Sequence, residues 1–312
     1  MPPLPASTYE KFTLRMAVQL AAPHTWPAAI LPCLVAVCAA GVFSDGVSVS
    51  MACVLLAICI LMQASVNTFN DYYDFVKGTD FADDGVEESD ATLVYNAVNP
   101  RSALALGIGF LAAAFALGVY VILRARWIPL VIGVVGAFFV VIYSAGKTPL
   151  SYLPLGEAVS GTVMGGLIPL ACYQALTGRL DWMALVWAVP EIIGVALIML
   201  TNNTCDIEKD IAARRRTLPV LIGREKARRL YHAALVAWLI AIGAVCIAFF
   251  ARGAIVLPFM YLAAYPLLKA LFANPLVTAS RVAAMAQVCS VNIALGSFYA
   301  CCIAANGITL MW

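Results

Sequence analysis

The sequence predicts an all-α, polytopic membrane protein in which nine transmembrane helices form one bundle. Hydrophobic residues make up 63% of the 312 residues and charged residues only 12%, whereas a soluble domain has roughly 45–50% and about 25%. The apolar residues also lie in long runs, and a helix needs about 20 such residues to cross a bilayer. A soluble fold of this length could not bury so much apolar surface, so lipid is the expected surrounding of most of the chain.

Nine apolar runs account for the predicted helices. A helix is the expected form of each run because it satisfies all backbone hydrogen-bonding groups without water. No polar linker or low-complexity segment separates a second domain, so residues 1–312 are expected to form a single transmembrane domain. The predicted helices are 16–43, 47–71, 103–123, 127–144, 156–176, 182–202, 227–250, 253–272 and 284–304.

The basic residues predict how the bundle is oriented. With nine helices, successive connections alternate between the two sides of the membrane. All but four of the 19 Lys and Arg residues then share the side of the N-terminus, the exceptions being Arg124, Arg126, Arg179 and Arg252. Lys and Arg accumulate in cytoplasmic loops, so we expect a cytoplasmic N-terminus in a bacterial cytoplasmic membrane.

The cysteines give no sign of a disulfide framework or a metal site in the sequence. Ten are present, mostly inside apolar runs, and they form neither a Cys-x-x-Cys pair nor a Cys/His metal-binding spacing. We therefore expect them to be small, buried hydrophobic residues.

The second predicted helix ends in a polar stripe formed by Asn67, Asp71 and Asp74. The spacings of four and three residues place these side chains on one helix face. The other candidate residues of this segment are Asn70, Lys77 and Asp80. We expect this helix end, and hence the site, on the cytoplasmic side.

The sixth predicted helix ends in a second stripe, formed by Asn202, Asp206 and Asp210 at spacings of four residues. Three arginines follow it at 214–216, and the last two, Arg215 and Arg216, are candidate substrate contacts. Guanidinium groups bind phosphate oxygens with two parallel hydrogen bonds. The alternative is that these arginines only set orientation or contact anionic lipid.

The two stripes together predict a metal site. Carboxylates stacked on one helix face repel one another, and Mg²⁺ is commonly held by one or two carboxylates together with substrate phosphates. Acidic side chains near membrane depth are functional candidates. The alternative is a pair of solvated helix ends. The predicted metal ligands, which are also the predicted catalytic residues, are Asp71, Asp74, Asp206 and Asp210.

Tyr143 and Glu157 are two further candidates for substrate binding, and each allows two interpretations. Tyr143 could face a substrate cation through its ring or belong to an interfacial belt of aromatic residues. Glu157 begins the fifth predicted helix, where an acid is favoured by the helix dipole. It could also bind or deprotonate an acceptor hydroxyl.

These motifs resemble those of the UbiA superfamily of intramembrane prenyltransferases. The first match is the segment 70–80, and the second is the stripe at 202–210 with the Arg-Thr-Leu-Pro that follows at 216–219. Within the superfamily, the chain most resembles the 1,4-dihydroxy-2-naphthoate polyprenyltransferases of menaquinone synthesis. That closer match rests on short stretches at 23–28, 99–101, 143–144 and 155–157.

The resemblance implies a nine-helix bundle, Mg²⁺ dependence and a central cavity that opens laterally to lipid. It also implies that a polyprenyl group is transferred from a polyprenyl diphosphate to an aromatic acceptor, most closely 1,4-dihydroxy-2-naphthoate with loss of its carboxylate. The residues that it places around the metal and diphosphate are Asn67, Asp71, Asp74, Asn202, Asp206 and Asp210.

Three features depart from the family's pattern. The first two acids are three rather than four residues apart, and Ala22 and Thr92 stand where the family has Arg. Other acceptors therefore stay open, namely 4-hydroxybenzoate, a haem or a chlorophyllide. A secondary transporter is the alternative from another class, although such proteins favour repeats and sites at the midplane. We expect no nucleic-acid partner and infer no obligate protein partner.

Overall fold

The structure is a computed structural model that describes residues 9–78, 92–96 and 98–311. Most of these residues are helical, and several helices are interrupted or bent. The first seven α-helices are α1 Leu14–Ala21, α2 Pro27–Phe43, α3 Val49–Lys77, α4 Thr92–Tyr95, α5 Pro100–Ala125, α6 Ile128–Ser144 and α7 Gly156–Ser160. The remaining eight are α8 Ile168–Thr177, α9 Met183–Trp187, α10 Val189–Cys205, α11 Ile207–Ala212, α12 Leu218–Ile222, α13 Arg224–Phe249, α14 Leu257–Ala273 and α15 Arg281–Ala304.

Six helical segments of the described chain are long and apolar enough to cross a membrane, and a bent pair makes a seventh candidate. Two further apolar helices, α6 and α10, have 17 residues each, fewer than the usual length of about 20. All of these helices coincide with the nine predicted segments. Their lengths, however, establish six to seven candidate spans rather than nine. The six are Val49–Lys77, Pro100–Ala125, Gly156–Thr177, Arg224–Phe249, Ala251–Ala273 and Thr278–Ala304.

The first predicted helix is interrupted between Ala22 and Trp26, and the segments Leu14–Thr25 and Pro27–Phe43 are bent by 56° relative to each other. Ala22 adopts a left-handed conformation (φ 46°), and the ring of the following Pro23 disfavours helical geometry in the residue before it. The side-chain amide of Asn67 in α3 donates to the Ala21 carbonyl (3.0 Å) and to the Thr25 hydroxyl (2.8 Å). A residue of the first polar stripe therefore holds the bend in place.

Helix α3 is long enough to carry the first stripe beyond the centre of the membrane. Its 29 residues extend over about 44 Å, whereas the hydrocarbon core of a bilayer is about 30 Å thick. The helix is terminated by Gly78, which adopts a left-handed conformation (φ 64°). The Gly78 N–H donates to the carbonyls of Asp74 and Phe75 in the last turn. Asp71 and Asp74 lie in the last two turns of this helix.

The second stripe does not lie on one continuous helix. Helix α10 ends at Cys205 and α11 begins at Ile207, with Asp206 in a non-helical conformation between them. The prediction of an unbroken helix through Asp210 is therefore wrong. Helical hydrogen bonds nevertheless continue through the break, because the Asp206 N–H donates to the Asn202 carbonyl and the Asp210 N–H to the Asp206 carbonyl.

The closely packed half of the bundle surrounds α10, α13 and α15, where Trp238, Tyr231 and Tyr299 are almost fully buried. Two short strands, β1 (Val47–Ser48) and β2 (Leu310–Met311), pair in parallel and tie the end of the chain to the start of α3. On the other side, α3, α5 and α6 stand against α8. The space between these helices is the cavity described next.

Candidate active site

A cavity of about 400 Å³ lies inside the bundle, between α2, α3, α5, α6, α8 and α10. Much of its wall is apolar, including Leu55, Val121 and Ile168. One end of the cavity is polar because the last turns of α3 and α10 meet there. The polar side chains that line this end are Asn67, Asn70, Asp71, Asp74, Tyr143, Asn202, Asn203, Asp206, Lys209, Arg215 and Arg281.

Asp71 is buried in the cavity wall and receives backbone hydrogen bonds from a distant part of the chain. Its carboxylate accepts the N–H of Thr92 (2.9 Å) and, at 3.4 Å, that of Leu93. Both donors belong to the first turn of α4, where a carboxylate is favoured by the unpaired N–H groups. Thr92, which stands where the family has Arg, is fully buried and contributes its backbone rather than a cation.

Asp74 forms an ion pair with Arg215, with 2.5 Å between Oδ1 and Nη2. The same carboxylate accepts a hydrogen bond from the Asn70 amide at 3.3 Å. Arg215 also lies 3.9 Å from the Asp210 carboxylate and 5.0 Å from the centre of the Tyr152 ring. One guanidinium group therefore joins the first motif to the second at the polar end of the cavity.

Asp206 forms a second buried ion pair, with Arg281 at the start of α15. The Arg281 Nε donates to Asp206 Oδ2 at 3.0 Å, and its Nη2 donates to the Asn202 amide oxygen at 2.8 Å. Arg281 is only 6% exposed, and the sequence predicts for it only a contribution to the orientation of the bundle. The position of Arg281 at the start of a helix is the feature of the sequence that could have indicated this ion pair. A cation in the first turn of a helix opposes the helix dipole and needs an acidic partner.

Asp210 lies behind Arg215 rather than on the cavity surface. It is 2% exposed and accepts a hydrogen bond from the Thr217 hydroxyl at 2.8 Å. Burial raises the pKa of Asp210 to about 6, while the Thr217 hydrogen bond and the Arg215 charge act in the opposite direction. Of the four predicted aspartates, the structure therefore brings Asp71, Asp74 and Asp206 to the cavity and places Asp210 one contact away.

Two predicted substrate contacts, Lys77 and Arg216, are not among the residues that line the cavity, and the same holds for Glu157, described below. The Lys77 ammonium donates to the Ser144 carbonyl at 2.7 Å and so covers the end of α6. Arg216 has an exposed side chain, and its backbone N–H donates to the Tyr152 carbonyl. Asp80 lies outside the described residues.

Tyr143 lines the cavity, whereas Glu157 does not line it and contacts the second motif through a hydrogen bond. The Tyr143 hydroxyl donates to the sulfur of Met199 at 3.2 Å. Glu157 is buried and accepts the side-chain amide of Asn203 at 2.9 Å. Its second carboxylate oxygen has no hydrogen-bond partner within the described part of the chain. The paired asparagines at 202 and 203 were the signal for this contact, which the sequence analysis missed.

The donors at the polar end suit a hard cation together with an anion. They are carboxylate and amide oxygens, which Mg²⁺ prefers, and guanidinium groups, which bind phosphate. In the described chain, no three of the aspartates bring an oxygen within 4.8 Å of one another. Arg215 and Arg281 instead neutralise Asp74 and Asp206 directly.

Comparison with known proteins relates this arrangement to one family. Residues 29–307 match the model of the UbiA prenyltransferase family. The chain is 33% identical over 73% of its length to the 1,4-dihydroxy-2-naphthoate octaprenyltransferase of Bacillus subtilis, of which it covers 72%. The enzyme of the same name from Mycobacterium tuberculosis is 32% identical over 69% of this chain and 72% of its own.

The fold is similar to that of a solved structure. A UbiA homologue from Archaeoglobus fulgidus, bound to GPP and Mg²⁺, superposes with a TM-score of 0.58 over 90% of this chain and 99% of its own, at 16% identity. The resemblance inferred from the two Asp-rich motifs is thus confirmed at the level of the family. The chain belongs to the UbiA prenyltransferase family.

Proposed function

We propose that this protein transfers a polyprenyl group from a polyprenyl diphosphate to 1,4-dihydroxy-2-naphthoate, with loss of the carboxylate as CO₂ and formation of demethylmenaquinol. The observation that carries the proposal is a single cavity with two chemically different ends. Aspartates and arginines from two separate motifs meet at one end, and the rest of the wall is apolar. A diphosphate headgroup fits the first environment and a long prenyl tail the second.

The relatives support the choice of substrates. The proteins from Bacillus subtilis and Mycobacterium tuberculosis are named as octaprenyltransferases acting on 1,4-dihydroxy-2-naphthoate. The Archaeoglobus fulgidus homologue holds a prenyl diphosphate, GPP, together with Mg²⁺. By analogy, Asp71, Asp74, Asp206 and Asp210 would hold Mg²⁺ in this chain. When bound, Mg²⁺ offsets negative charge on the diphosphate.

The two arginines have a specific part in this scheme. Arg215 and Arg281 stabilise Asp74 and Asp206 through ion pairs. With Mg²⁺ held by the carboxylates, Arg215 and Arg281 would bind the phosphate oxygens, to which a guanidinium group can donate two parallel hydrogen bonds. Breaking a buried ion pair without such an exchange would leave an uncompensated charge and is strongly unfavourable. Diphosphate and metal are therefore expected to bind together.

The chemistry follows from charge placed around the leaving group. Arg215 and Arg281 stabilise the departing diphosphate, so that the allylic C–O bond breaks and its electrons leave with the oxygen. The apolar cavity excludes water, which would otherwise trap the allylic cation as an alcohol. The ring of Tyr143 lines the same wall, where its π-electrons stabilise positive charge.

The acceptor completes the reaction without an added base. A ring with two hydroxyl groups is electron-rich enough to attack the allylic cation. The new C–C bond forms at the ring carbon that bears the carboxylate. The bond to the carboxylate then breaks, CO₂ leaves, and its electron pair restores the aromatic ring. Glu157, which accepts a hydrogen bond from the cavity-lining Asn203, holds the second motif in position during these steps.

We further propose that all 312 residues form one membrane domain with nine spans, a cytoplasmic N-terminus and a cytoplasmic polar end. The support is the distribution of Lys and Arg, which places all but four of 19 on one side only if α6 and α10 also cross. Their length of 17 residues is at the lower end of the range of roughly 17–25 residues for transmembrane helices.

The test is a reaction in membranes that contain the protein, with Mg²⁺, a polyprenyl diphosphate and a carboxyl-labelled acceptor. We expect labelled CO₂ to be released in step with prenylated product, and chelation of Mg²⁺ to stop both. Prenylation with the label retained, or turnover only with 4-hydroxybenzoate, would contradict the proposed acceptor. Absence of prenylation with every aromatic acceptor would contradict the proposed reaction.

A further inference from the structure

Three cysteine sulfurs meet at the apolar end of the cavity. They belong to Cys33 of α2, Cys59 of α3 and Cys172 of α8, and they lie within 4.8 Å of one another. The distance between the Cys33 and Cys172 sulfurs is 3.8 Å. All ten cysteines of the chain are free, so these are three adjacent thiols. No other group of three His, Cys, Asp or Glu ligand atoms in the described residues is this close.

We propose that this thiol cluster, Cys33–Cys59–Cys172, is a binding site for a soft, thiophilic metal ion. Thiolates select metals of this class over Mg²⁺ or Ca²⁺. A metal–sulfur bond is about 2.3 Å long, so three sulfurs around one ion in a plane would be about 4.0 Å apart. The sulfurs already have nearly this spacing, although three different helices supply them.

The site is separate from the carboxylates. Cys59 precedes Asp71 by 12 residues in α3, which corresponds to about 18 Å along a helix. Cys59 and Cys172 line the cavity, and Cys33 is fully buried beside them. An ion can therefore reach the sulfurs through the cavity. Hard and soft metals would occupy opposite ends of the same space.

The charge of the complex suits its apolar surroundings. An uncompensated charge is very costly to bury in such a place. A divalent ion that displaces the protons of two thiols and accepts the third as a neutral ligand adds no net charge. The two S–H bonds break, two metal–thiolate bonds form, and two protons leave through the polar end. An ion held here would also occupy space that the proposed prenyl tail needs.

The experiment is a titration of the reduced, purified protein with Cd²⁺, followed by sulfur-to-cadmium charge-transfer absorption. Cd²⁺ bound to carboxylates gives no such band, which separates this site from the Asp-rich motifs. We expect saturation at one ion per chain and release of two protons. Cys33→Ser, Cys59→Ser and Cys172→Ser should each weaken binding by about tenfold or more. Cys246→Ser, which changes another buried cysteine, is the matched control and should keep the band.

A second measurement covers the case in which a serine variant fails to fold. Wild-type protein is treated with a small maleimide with and without Cd²⁺, and modified cysteines are identified by mass spectrometry. Cd²⁺ should protect Cys59 and Cys172 but not the exposed Cys53. An unchanged band in the triple serine variant, equal labelling with and without Cd²⁺, or no band in reduced wild-type protein would each overturn the proposal. None of these outcomes depends on prenyl transfer.

Discussion

Helix α3 contributes to both ends of the cavity, with charged carboxylates at one end and a neutral thiol at the other. Near its C-terminal end, α3 contributes Asp71 and Asp74, whose charges are balanced by backbone N–H groups and by Arg215. Three turns earlier, the same helix contributes Cys59, which meets two other thiols and no ion pair. The difference shows that the partners available at each end of the cavity decide which polar group can be buried there.

At the polar end, the charges of Asp74 and Asp206 are compensated by the arginines with which they pair. In the middle of the bundle an isolated charge would be very unfavourable, and a neutral thiol is accommodated as a small hydrophobic residue. Under the proposed function, the polar end binds the diphosphate headgroup and the apolar end receives the prenyl tail, so substitutions at the two ends should have different effects.

The largest effect is expected from Asp206→Asn. The substitution removes the charge that pairs with Arg281 and one proposed metal ligand, while it keeps the size of the side chain. Prenyl transfer should fall by about 10³-fold or more, as for loss of a main electrostatic contact. Activity should be measured at saturating Mg²⁺ with short and long prenyl diphosphates, which should be affected equally.

Folding of the Asp206→Asn variant must be checked in detergent, because Arg281 loses its partner. Asp181→Asn is a suitable control, since Asp181 lies in the loop between α8 and α9. Near-normal turnover of Asp206→Asn would contradict the assignment of the second motif to metal and diphosphate binding.

A smaller but specific effect is expected from Arg215→Gln compared with Arg216→Gln. Arg215 contacts Asp74 in the cavity wall, whereas the Arg216 side chain is exposed. Arg215→Gln should lower kcat/KM for the prenyl diphosphate by roughly 10²-fold, and Arg216→Gln should change it by less than about threefold. Equal losses in the two variants would indicate that both arginines act only through orientation in the membrane, which protease accessibility would report.

An effect confined to long substrates is expected from Cys172→Phe. The larger side chain fills the apolar end of the cavity and leaves the carboxylates and arginines in place. The KM for long polyprenyl diphosphates should rise by about tenfold, as for a hydrophobic pocket that loses space, while the KM for a two-isoprene substrate changes little. Cys301→Phe serves as the control because Cys301 is exposed, whereas a phenylalanine at the buried Cys205 would disturb packing elsewhere.

If the Cys172→Phe variant instead impairs short and long substrates equally, the apolar end does not receive the tail. That result would remove the functional separation between the two ends, although the thiol cluster could still bind a metal.

The smallest effect is expected from Glu157→Gln. Glu157 accepts one hydrogen bond from Asn203, and glutamine retains an acceptor oxygen at the same position. Turnover should fall by less than about tenfold, with an unchanged pH profile, if Glu157 only positions the second motif. A much larger loss with a changed pH profile would show that Glu157 acts as a base on the acceptor hydroxyl, and the variant Glu157→Asp would then recover part of the rate.

The sequence was sufficient to predict the helical membrane fold, the family and the two motifs. Apolar run length predicts helices because lipid leaves the backbone no other partner, and the spacing of Asn67, Asp71 and Asp74 predicts one face. It was insufficient for the bend at Ala22 and for the break at Asp206. Both depend on hydrogen bonds made to other helices or across a turn, which local spacing does not report.

Pairings between distant helices were decided by the tertiary structure alone. The charges of Arg281 and Asp206 are evident in the sequence, but their 75-residue separation gives no reason to join them until α15 packs against α10. The same holds for Cys33, Cys59 and Cys172, each of which is an ordinary apolar residue within its own helix. Composition and periodicity fix what each helix exposes, because they depend on neighbours in the chain. Which side chains meet in the cavity depends on how the helices pack, and packing is a property of the whole bundle.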